Sequence, residues 1–353
     1  MRYDVASVKR YCVQVMCAAG SSEEEAELFA QSLIFADLRG IGSHGTSRLS
    51  IYAKRVASGA VSSHVTPEIC QDRGAAISID GKNGLGACTA RFAVDRCIER
   101  ARQFGCCCAA VKNGTHFGSA AFYTRYAAEK GMICCIVSNA EAAVVPTGGA
   151  VPMLGTSPLS AAVPARRHEP YVLDMATSVV ARGKVVLAQK EGRSIPEDWG
   201  VDKRGVPTSD PEEILRGGAM LPFGGAKGYA ISLLIDLLCS ALGGAYNCRE
   251  TPSFWTDLER PQNIGYFIWV LDPSKFMETD RFLGRVDGIL DELKGCPPAP
   301  GVREVMIPGE IEAGRERQGL EMGIELSDAV VADMVEAGAR YGVTADLQEG
   351  GSL

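Results

Sequence analysis

One stretch of the sequence, SHGTSRLSIY, places a histidine, an arginine and a tyrosine at four-residue intervals. If Ser43 caps a helix that runs to Gly59, the three side chains project from one face of that helix. Histidine transfers protons near neutral pH, and arginine grips a carboxylate with its planar fork. The stretch therefore predicts a site for a small carboxylate, although an ordinary helix with its polar face in water has the same spacing. The three side chains are His44, Arg48 and Tyr52.

The segment RGIGSHG, which overlaps the start of this stretch, contains a GxGxxG pattern formed by Gly40, Gly42 and Gly45, which is the dinucleotide fingerprint of Rossmann folds. That fingerprint follows a buried strand. The residues before Gly40 instead carry acidic residues at their start and apolar residues at helical spacing, as SEEEAELFAQSLIFADLR shows. We therefore expect these glycines to turn the chain sharply between two helices rather than to bind a diphosphate.

A second histidine, His116, lies where a strand pattern (CCCAAVKN) ends and a helix pattern (SAAFYTRYAAEKG) begins. Functional groups often occupy the carboxyl end of a strand next to a helix start. A histidine that only caps the helix is the structural alternative. Because His64 and His168 lie in polar connections, His44 and His116 are the two candidates for acid/base chemistry.

An alternation of helix and strand patterns has to position these residues. Residues 1–60 predict three helices, and strands alternate with helices after Pro67, as in an α/β domain. A last helical pattern, LSDAVVADMVEAGARYG, is expected to pack on the N-terminal helices. The predicted organisation is therefore a helical lobe for substrate binding and dimerisation, formed by residues 1–73 and 312–353, and a nucleotide-binding α/β domain at 74–311.

Three segments rich in glycine or proline are expected to be loops. The stretch AAVVPTGGAVPMLGTSPLSAAVPA predicts a long ordered loop or a set of short strands, and PPAPGVREVMIPGEIEAGRERQG predicts a loop with a tight turn. In LPFGGAKGY, Lys227 lies among glycines before an apolar helix. The Walker pattern GxxxxGK[ST] is not matched, so nucleoside triphosphate hydrolysis is not expected, but such a loop can approach a diphosphate closely.

The composition of the 353-residue chain limits the classes of partner. A net charge of −7 argues against nucleic acid as the main partner. The 13 cysteines show no zinc-type spacing and are expected to be reduced core residues, so no metal site is predicted. No apolar run is long enough to cross a membrane and no leader is evident. We therefore expect a cytoplasmic globular protein with no membrane partner.

Six motifs, in order along nearly the whole chain, resemble those of the malate/L-lactate dehydrogenase family, which is distinct from the Rossmann-type enzymes. They are SHGTSRLSIY, THFGSAAFY, LGTSP, DMATS, LPFGGAKGY and PGEIE. The resemblance implies a non-Rossmann NAD(P)-binding α/β fold and a homodimer with its site near the subunit interface. It also implies an NAD- or NADP-dependent oxidoreductase that interconverts a small 2-hydroxy acid, of the malate, lactate, ureidoglycolate or sulfolactate type, and its 2-oxo acid.

Carried over by position, the resemblance implies a set of site residues. The substrate pocket would be lined by Ser43, His44, Arg48, Tyr52 and His116. The cofactor would lie near Asn139, Thr156, Asp174, Met175, Ala176, Lys227, Gly309 and Glu310. This chain departs from the family pattern at Ser157, which replaces an asparagine in the loop commonly written GTNP, and Ala140 and Glu141 occupy a variable segment that contacts substrate in some members. These departures bear on the substrate more than on the reaction class.

The sequence leaves several alternatives open. Reduction of a cyclic 2-imino acid or of a diketo sugar acid fits the same residues, and so does a nucleotide- or carboxylate-binding protein without turnover. Cations at Arg166, Arg167 and His168 precede the strand that delivers Asp174, where they could meet the 2′-phosphate of NADP or simply be solvated. We favour His116 as the acid/base over His44 without excluding either, because a helix N-terminus at Ser43 would lower the pKa of His44 and leave this residue to orient the substrate.

Overall fold

The computed structural model describes residues 1–351 as a central mixed sheet joined to a helical lobe. The α-helices are α1 (Val5–Ala18), α2 (Glu23–Leu38), α3 (Leu49–Ala57), α4 (Gly86–Phe104), α5 (Ala121–Glu129), α6 (Arg182–Lys190), α7 (Pro211–Leu215), α8 (Ala226–Asp236), α9 (Thr279–Lys294), α10 (Glu310–Met322) and α11 (Asp328–Arg340). The strands are β1 (Arg2–Tyr3), β2 (Glu68–Asp72), β3 (Ala76–Asp80), β4 (Cys106–Gly114), β5 (Ile133–Ser138), β6 (Leu159–Val163), β7 (Tyr171–Met175), β8 (Gly200–Val201), β9 (Ala219–Met220), β10 (Ile264–Leu271) and β11 (Ile324–Glu325).

The large sheet has seven strands among the described residues, in the order β2-β3-β4-β10-β5-β6-β7. Only β3 and β4 pair in parallel, and the remaining neighbours are antiparallel. The apolar strand β10 (IGYFIWVL) lies between β4 and β5 and is buried along most of its length. A Rossmann sheet is mostly parallel, so this topology confirms the α/β fold of non-Rossmann type that the sequence predicted.

The helical lobe is closed by both ends of the described chain. The first three helices share a core with α11, in which Phe29, Leu33 and Met334 are buried. The hydroxyl of Tyr11 donates a hydrogen bond of 3.0 Å to the carbonyl of Met334. Strand β1 pairs with β11, with Tyr3 opposite Ile324. The expectation that the last helix packs on the N-terminal helices is confirmed.

The helix before the glycine pattern begins where its sequence signals predict. Ser22 caps α2 by accepting from the Glu25 backbone N–H at 3.2 Å, while the Glu25 carboxylate accepts from the Ser22 N–H at 2.9 Å. Helix α2 ends at Leu38, and Gly40 follows with a φ of +74°. Because a helix rather than a strand precedes Gly40, the Rossmann reading of GxGxxG is excluded.

Two predictions about secondary structure were wrong. Ser43 does not cap a continuous helix, because two 3₁₀ turns, Gly42–His44 and Thr46–Arg48, precede α3. Gly45 between them is extended, with φ −90° and ψ −150°, which interrupts any helix there. The segment EIEAGRERQG, expected to belong to a loop, forms most of α10. Its charged residues give no apolar stripe, so the helical period was not visible.

The cysteines follow the prediction only in part. All 13 are free thiols within the described residues, and Cys107 and Cys134 are completely buried. Cys70 and Cys296 are exposed instead of lying in the core. Among residues 1–351, no helix combines the length and the apolar character needed to cross a membrane.

The left-handed turn at Gly40 gives a testable prediction. A Cβ at this position would lie 2.6 Å from Nη1 of Arg315 in addition to straining the backbone. We expect Gly40→Ala to lower the free energy of unfolding by about 1–2 kcal/mol, measured by urea denaturation. Affinity for NADH, measured by fluorescence titration, should stay within a few fold, because this turn does not hold a diphosphate.

Gly59→Ala is the matched control for this variant. Gly59 has a similar φ of +80°, and a Cβ there would meet no atom of the described residues within 4 Å. It therefore reports the cost of the positive φ alone. A folded Gly40→Ala protein that selectively loses NADH binding would contradict the assignment.

Candidate functional site

A cavity of about 610 Å³ lies between the helical lobe and the edge of the large sheet. The 3₁₀ turns before α3 contribute Ser43, His44 and Arg48 to its wall, and the segment between β4 and α5 contributes His116. Residues more than 60 positions apart thus face one space. Volumes of this size and mixed polar and apolar walls are typical of sites for small molecules.

The two histidines lie side by side in this cavity. Their ring centroids are 5.7 Å apart with an angle of 17° between the planes. Burial, and then the charge of Arg48, lowers the pKa of His44 to about 4. Burial also lowers the pKa of His116 well below its usual range, with His44 and Arg48 adding to the effect. Both imidazoles are therefore neutral at pH 7, the state in which a histidine accepts a proton.

Tyr52 lies behind His116 rather than on the cavity wall. Its hydroxyl lies 2.5 Å from Nδ1 of His116, and the backbone N–H of Gly118 donates to the same nitrogen at 3.3 Å. Nδ1 therefore accepts, and the proton of the neutral ring is assigned to Nε2. Burial raises the pKa of Tyr52, so the phenol keeps its proton and fixes this tautomer.

Arg48 is held by its side-chain base and stacked on an indole. Its Nε donates to the Ser43 carbonyl at 2.5 Å, and its guanidinium carbon lies 4.0 Å from the ring centroid of Trp255. Within residues 1–351 these contacts leave the two terminal nitrogens of Arg48 free for a ligand. Burial lowers the pKa of Arg48 below its usual range, while Tyr52 and Glu141 oppose that shift. A guanidinium with free terminal nitrogens is able to bind a carboxylate through two parallel hydrogen bonds.

A buried carboxylate positions the segment that carries His44 and Arg48. Oδ2 of Asp37, near the end of α2, accepts a 2.8 Å hydrogen bond from the backbone N–H of Thr46. A Cβ on Gly45 would lie only 1.8 Å from Oδ1 of Asp37, so glycine is needed for this approach. Burial raises the pKa of Asp37 to about 6, and the hydrogen bonds from Thr46 oppose that shift.

Several residues assigned to the cofactor line the same cavity. They are Asn139, Thr156, Asp174, Met175, Ala176 and Gly309. Oδ2 of Asp174 accepts from Oγ of Ser119 at 2.9 Å and from the N–H of Ala121, the first residue of α5, at 3.1 Å. Burial raises the pKa of Asp174 to about 6. This carboxyl therefore occupies the start of α5 and fixes the strand end against the helix.

The side chain of Asn139 is largely engaged within the protein. Its amide nitrogen donates to Asp236 at 3.1 Å and to the carbonyl of Tyr246 at 2.6 Å, and its oxygen accepts from the N–H of Gly265 at 2.9 Å. The amide thus ties the end of β5 to α8 and β10. Its assignment as a cofactor-binding residue stays a prediction.

Two residues assigned to the cofactor lie outside the cavity wall. Lys227 is exposed at the start of α8. The Glu310 carboxylate accepts from the N–H of Ile307 at 2.9 Å and from Lys294 at 3.0 Å. Its role in this structure is to shape the turn at Gly309, which does line the cavity.

The cations proposed to meet a 2′-phosphate are paired with acidic residues of α9. Arg166 contacts Asp280 at 2.5 Å, and Arg167 and His168 contact Asp291 at 2.5 and 2.8 Å. The arrangement gives each of them a protein partner. These three cations therefore do not distinguish NADP from NAD.

Several residues of the site carry no signal in the sequence. Phe254, whose ring centroid is 4.9 Å from that of His116, and Trp255, which stacks on Arg48, come from an irregular segment far along the chain. In the sequence, Asp37 looks like any single polar residue on a helix. Arg182, at the start of α6, also lines the cavity.

The cavity fits a dinucleotide cofactor in size and in the character of its walls. Beyond the histidines it continues along the ends of β5 and β7 to the turn at Gly309. That turn has a φ of +99°, and a Cβ there would lie 3.0 Å from Cβ of Val172, so backbone packs closely on this wall. Close backbone approach and apolar sides suit an aromatic ring and a sugar-phosphate chain.

The loop that carries His44 and Arg48 gives a second prediction. In Gly45→Ala the new methyl must displace the Asp37 carboxylate or the loop. We expect the free energy of unfolding to fall by about 1–3 kcal/mol, and kcat/KM for a 2-oxo acid to fall at least about tenfold as the two side chains move. Denaturant titration and steady-state kinetics test both.

Gly42→Ala is the matched control in the same loop. Its φ is not positive, and its Cβ would lie 3.9 Å from Oδ1 of Asp37, an ordinary contact. Both parameters should therefore stay near the parent values. Equal effects of the two variants would show that the contact with Asp37 does not position the loop.

Comparison with known proteins gives consistent matches over nearly the whole chain. The family model described as malate/L-lactate dehydrogenase matches residues 3–335. A malate dehydrogenase of Pyrococcus abyssi is 34% identical over 340 residues, covering 94% of this chain and 93% of the relative. A ureidoglycolate dehydrogenase (NAD(+)) of Escherichia coli K12 is 33% identical over 315 residues, covering 89% of each.

The fold is also found among solved structures. Sulfolactate dehydrogenase from Methanocaldococcus jannaschii superposes with a TM-score of 0.91 at 34% identity, covering 98% of this chain and 99% of that one. The match spans the sheet and the helical lobe together. The resemblance drawn from the six sequence motifs is therefore confirmed.

Proposed function

Because this chain belongs to the malate/L-lactate dehydrogenase family, and is thus an NAD(P)-dependent oxidoreductase of 2-hydroxy acids, we propose that the cavity containing His44, Arg48 and His116 is its active site. There it interconverts a small 2-hydroxy acid and its 2-oxo acid. The observation that carries this proposal is the convergence of two neutral histidines and one cation from distant segments in one cavity.

The residues supply what hydride transfer at a secondary alcohol requires. The cofactor supplies or accepts the hydride when it is bound, and Thr156, Met175, Ala176 and Gly309 would lie against it. Arg48 binds the substrate carboxylate through its terminal nitrogens and so fixes the position of the adjacent carbon. The surrounding apolar walls exclude water from the reacting carbon.

His116 is proposed as the acid/base. In reduction its Nε2–H donates a proton to the substrate oxygen, and Nδ1 takes up the proton of the Tyr52 hydroxyl 2.5 Å away, which solvent then replaces; oxidation runs the same transfers in reverse. His44, whose Nδ1 lies 2.9 Å from the hydroxyl oxygen of Ser43, orients the substrate beside it. The ordering of roles follows from Tyr52, because a catalytic base is usually oriented by a third group and the buried Tyr52 hydroxyl orients the ring of His116.

Separate roles for these residues give a third prediction. We expect His116→Ala to lower kcat by about 10² to 10⁴, because proton transfer contributes this much in enzymes. Arg48→Ala should act mainly by raising KM, since the charged fork binds the ground state and the transition state alike. His44→Ala should cost less in kcat than His116→Ala. Reduction of one accepted 2-oxo acid, followed by NADH or NADPH absorbance across pH, measures all three.

Tyr52→Phe tests the contribution of the hydroxyl that faces Nδ1 of His116. It removes the hydrogen bond to Nδ1 and keeps the packing of the ring on Phe29 and Phe254. A loss smaller than that of His116→Ala is expected. If both histidine variants keep kcat within a few fold of the parent, the proton comes from another group and the assignment fails.

A homodimer is proposed from an apolar face that is formed by α8 and by the helical residues directly after it. Leu234, Leu237 and Leu242 are 51–64% exposed at helical spacing. A surface of this kind on a globular chain marks an interaction site, and a two-fold axis lets one such helix face pack on its copy. Under this proposal the dimer contact is in the α/β part rather than in the helical lobe.

The interface gives a fourth prediction. The parent should sediment with twice the chain mass of 37.5 kDa, and Leu234→Glu with Leu237→Glu should shift it toward the monomer. Leu293→Glu on α9 is the control, because that leucine is 49% exposed on a different helix. Sedimentation velocity at several concentrations distinguishes them. A parent that sediments as a monomer contradicts the proposal.

The two-lobe division is retained as a proposal with adjusted boundaries. One buried cluster joins α1, α2 and α3 with α11, and another lies between the large sheet and α4. Because β2 pairs with β3, and α10 begins at Glu310, we place the α/β domain at 68–309 rather than 74–311. We also propose a cytoplasmic location, since the 13 cysteines of the described residues are free thiols, a state that persists in a reducing compartment.

A further inference from the structure

A carboxylate occupies the wall of the cavity beside the two histidines. Oε2 of Glu141 accepts a 2.7 Å hydrogen bond from the backbone N–H of Phe254, and Oε1 lies 3.4 Å from Nη1 of Arg182. The side chain of Glu141 is 18% exposed, so it still reaches the cavity. One backbone donor and one long ion pair leave lone pairs of this carboxylate for a ligand.

The carboxylate and the clamp are positioned by consecutive residues. Phe254, which holds Glu141 through its N–H, packs its ring 4.9 Å from that of His116. Trp255, the next residue, stacks on the guanidinium of Arg48. A substrate whose carboxylate is on Arg48 and whose oxygen faces His116 therefore has Glu141 within reach of its remaining substituent.

A second acceptor in the same wall has no partner in the protein. Gln262 is 1% exposed and lines the cavity, and its Nε2 donates to the carbonyl of Pro252 at 3.4 Å. That contact fixes the orientation of the amide. Its Oε1 is buried and lacks a hydrogen-bond partner among residues 1–351. A buried acceptor without a donor is costly unless a ligand supplies one.

We propose that Glu141 and Gln262 form a subsite that accepts hydrogen bonds from the substrate tail, so that the preferred substrate is a 2-hydroxy or 2-oxo acid with one negative charge and a donor-bearing tail such as an amide, a ureido group or a hydroxyl. The inference rests on the proposed function. A second carboxylate or a sulfonate on the tail would face the Glu141 carboxylate and the carbonyl of Gln262, and both repel it.

Arg182 does not reverse this preference. It is the counter-ion of Glu141 and is 39% exposed, so solvent screens its charge. The neighbouring cation Arg48 is used by the carboxylate at the reacting end. The substrate tail therefore faces two hydrogen-bond acceptors, Glu141 and Gln262, and no free cation.

An isosteric pair of substrates tests the subsite. Oxaloacetate and its amide, 2-oxosuccinamate, differ only in a distal carboxylate against a distal amide, and pyruvate lacks the tail group. We expect kcat/KM of the parent for 2-oxosuccinamate to exceed that for oxaloacetate by at least about tenfold. Glu141→Gln should bring this ratio close to one, mainly through faster reduction of oxaloacetate.

Two further variants separate the subsite from general effects. Glu312→Gln removes a carboxylate elsewhere on the same cavity wall and should leave the ratio unchanged. Arg182→Gln removes the counter-ion and should move the ratio further toward the amide. Thermal denaturation of each variant confirms that it is folded. If Glu141→Gln is unstable, Arg182→Gln still tests the subsite, because it changes the local charge in the opposite direction.

The possible results distinguish failure of the subsite from failure of the proposed function. Reduction of pyruvate together with a parent preference for oxaloacetate overturns the subsite and leaves the proposed function intact, since Arg182 would then bind the distal anion. A ratio that Glu141→Gln and Arg182→Gln both leave unchanged overturns it as well. If none of the three oxo acids is reduced with NADH or NADPH, the proposed function fails and the inference falls with it.

Discussion

The hydrogen bond between the Thr46 backbone N–H and the Asp37 carboxylate is the constraint on which the site depends. It joins the end of α2 to a loop of two 3₁₀ turns that has no continuous helix to stiffen it. Gly45 allows the carboxylate to approach because it has no side chain at that point. The rigidity of α2, capped by Ser22 and buried along one side, is thus transmitted to the loop that presents His44.

Burial determines the protonation state of the ionisable groups around the cavity. His44 and His116 are kept neutral, Tyr52 keeps its proton, and Arg48 remains the cation of this group. An anionic substrate supplies the missing negative charge when it binds. Affinity and acid/base chemistry are therefore coupled, because the bound carboxylate offsets the cation that lowers the pKa of both histidines.

The sequence predicted the fold class and several residues that line the candidate site, and where it failed the reasons are local. Periodicity identified α1, α2 and β10, whose apolar residues repeat at the expected intervals. It failed at α10, which is charged on every side. His44, Arg48 and His116 were found because their residue types suggest chemistry. Phe254 was not, since it contacts His116 and Glu141 across more than 100 residues of sequence, and Gln262 was not, since only the folded chain brings it to the cavity wall.

The pairing of β1 with β11 has a consequence for the order in which the molecule forms during synthesis. Every strand of the large sheet is made before Ile324, so the sheet can assemble while α1, α2 and α3 still lack the helix that covers them. The helical lobe is completed by contacts with a sequence separation of more than 300 residues, such as that between Tyr11 and Met334. Contacts of such high separation form late and slowly. A ribosome-bound chain therefore carries an ordered sheet well before it carries a lobe able to hold His44 and Arg48 in place.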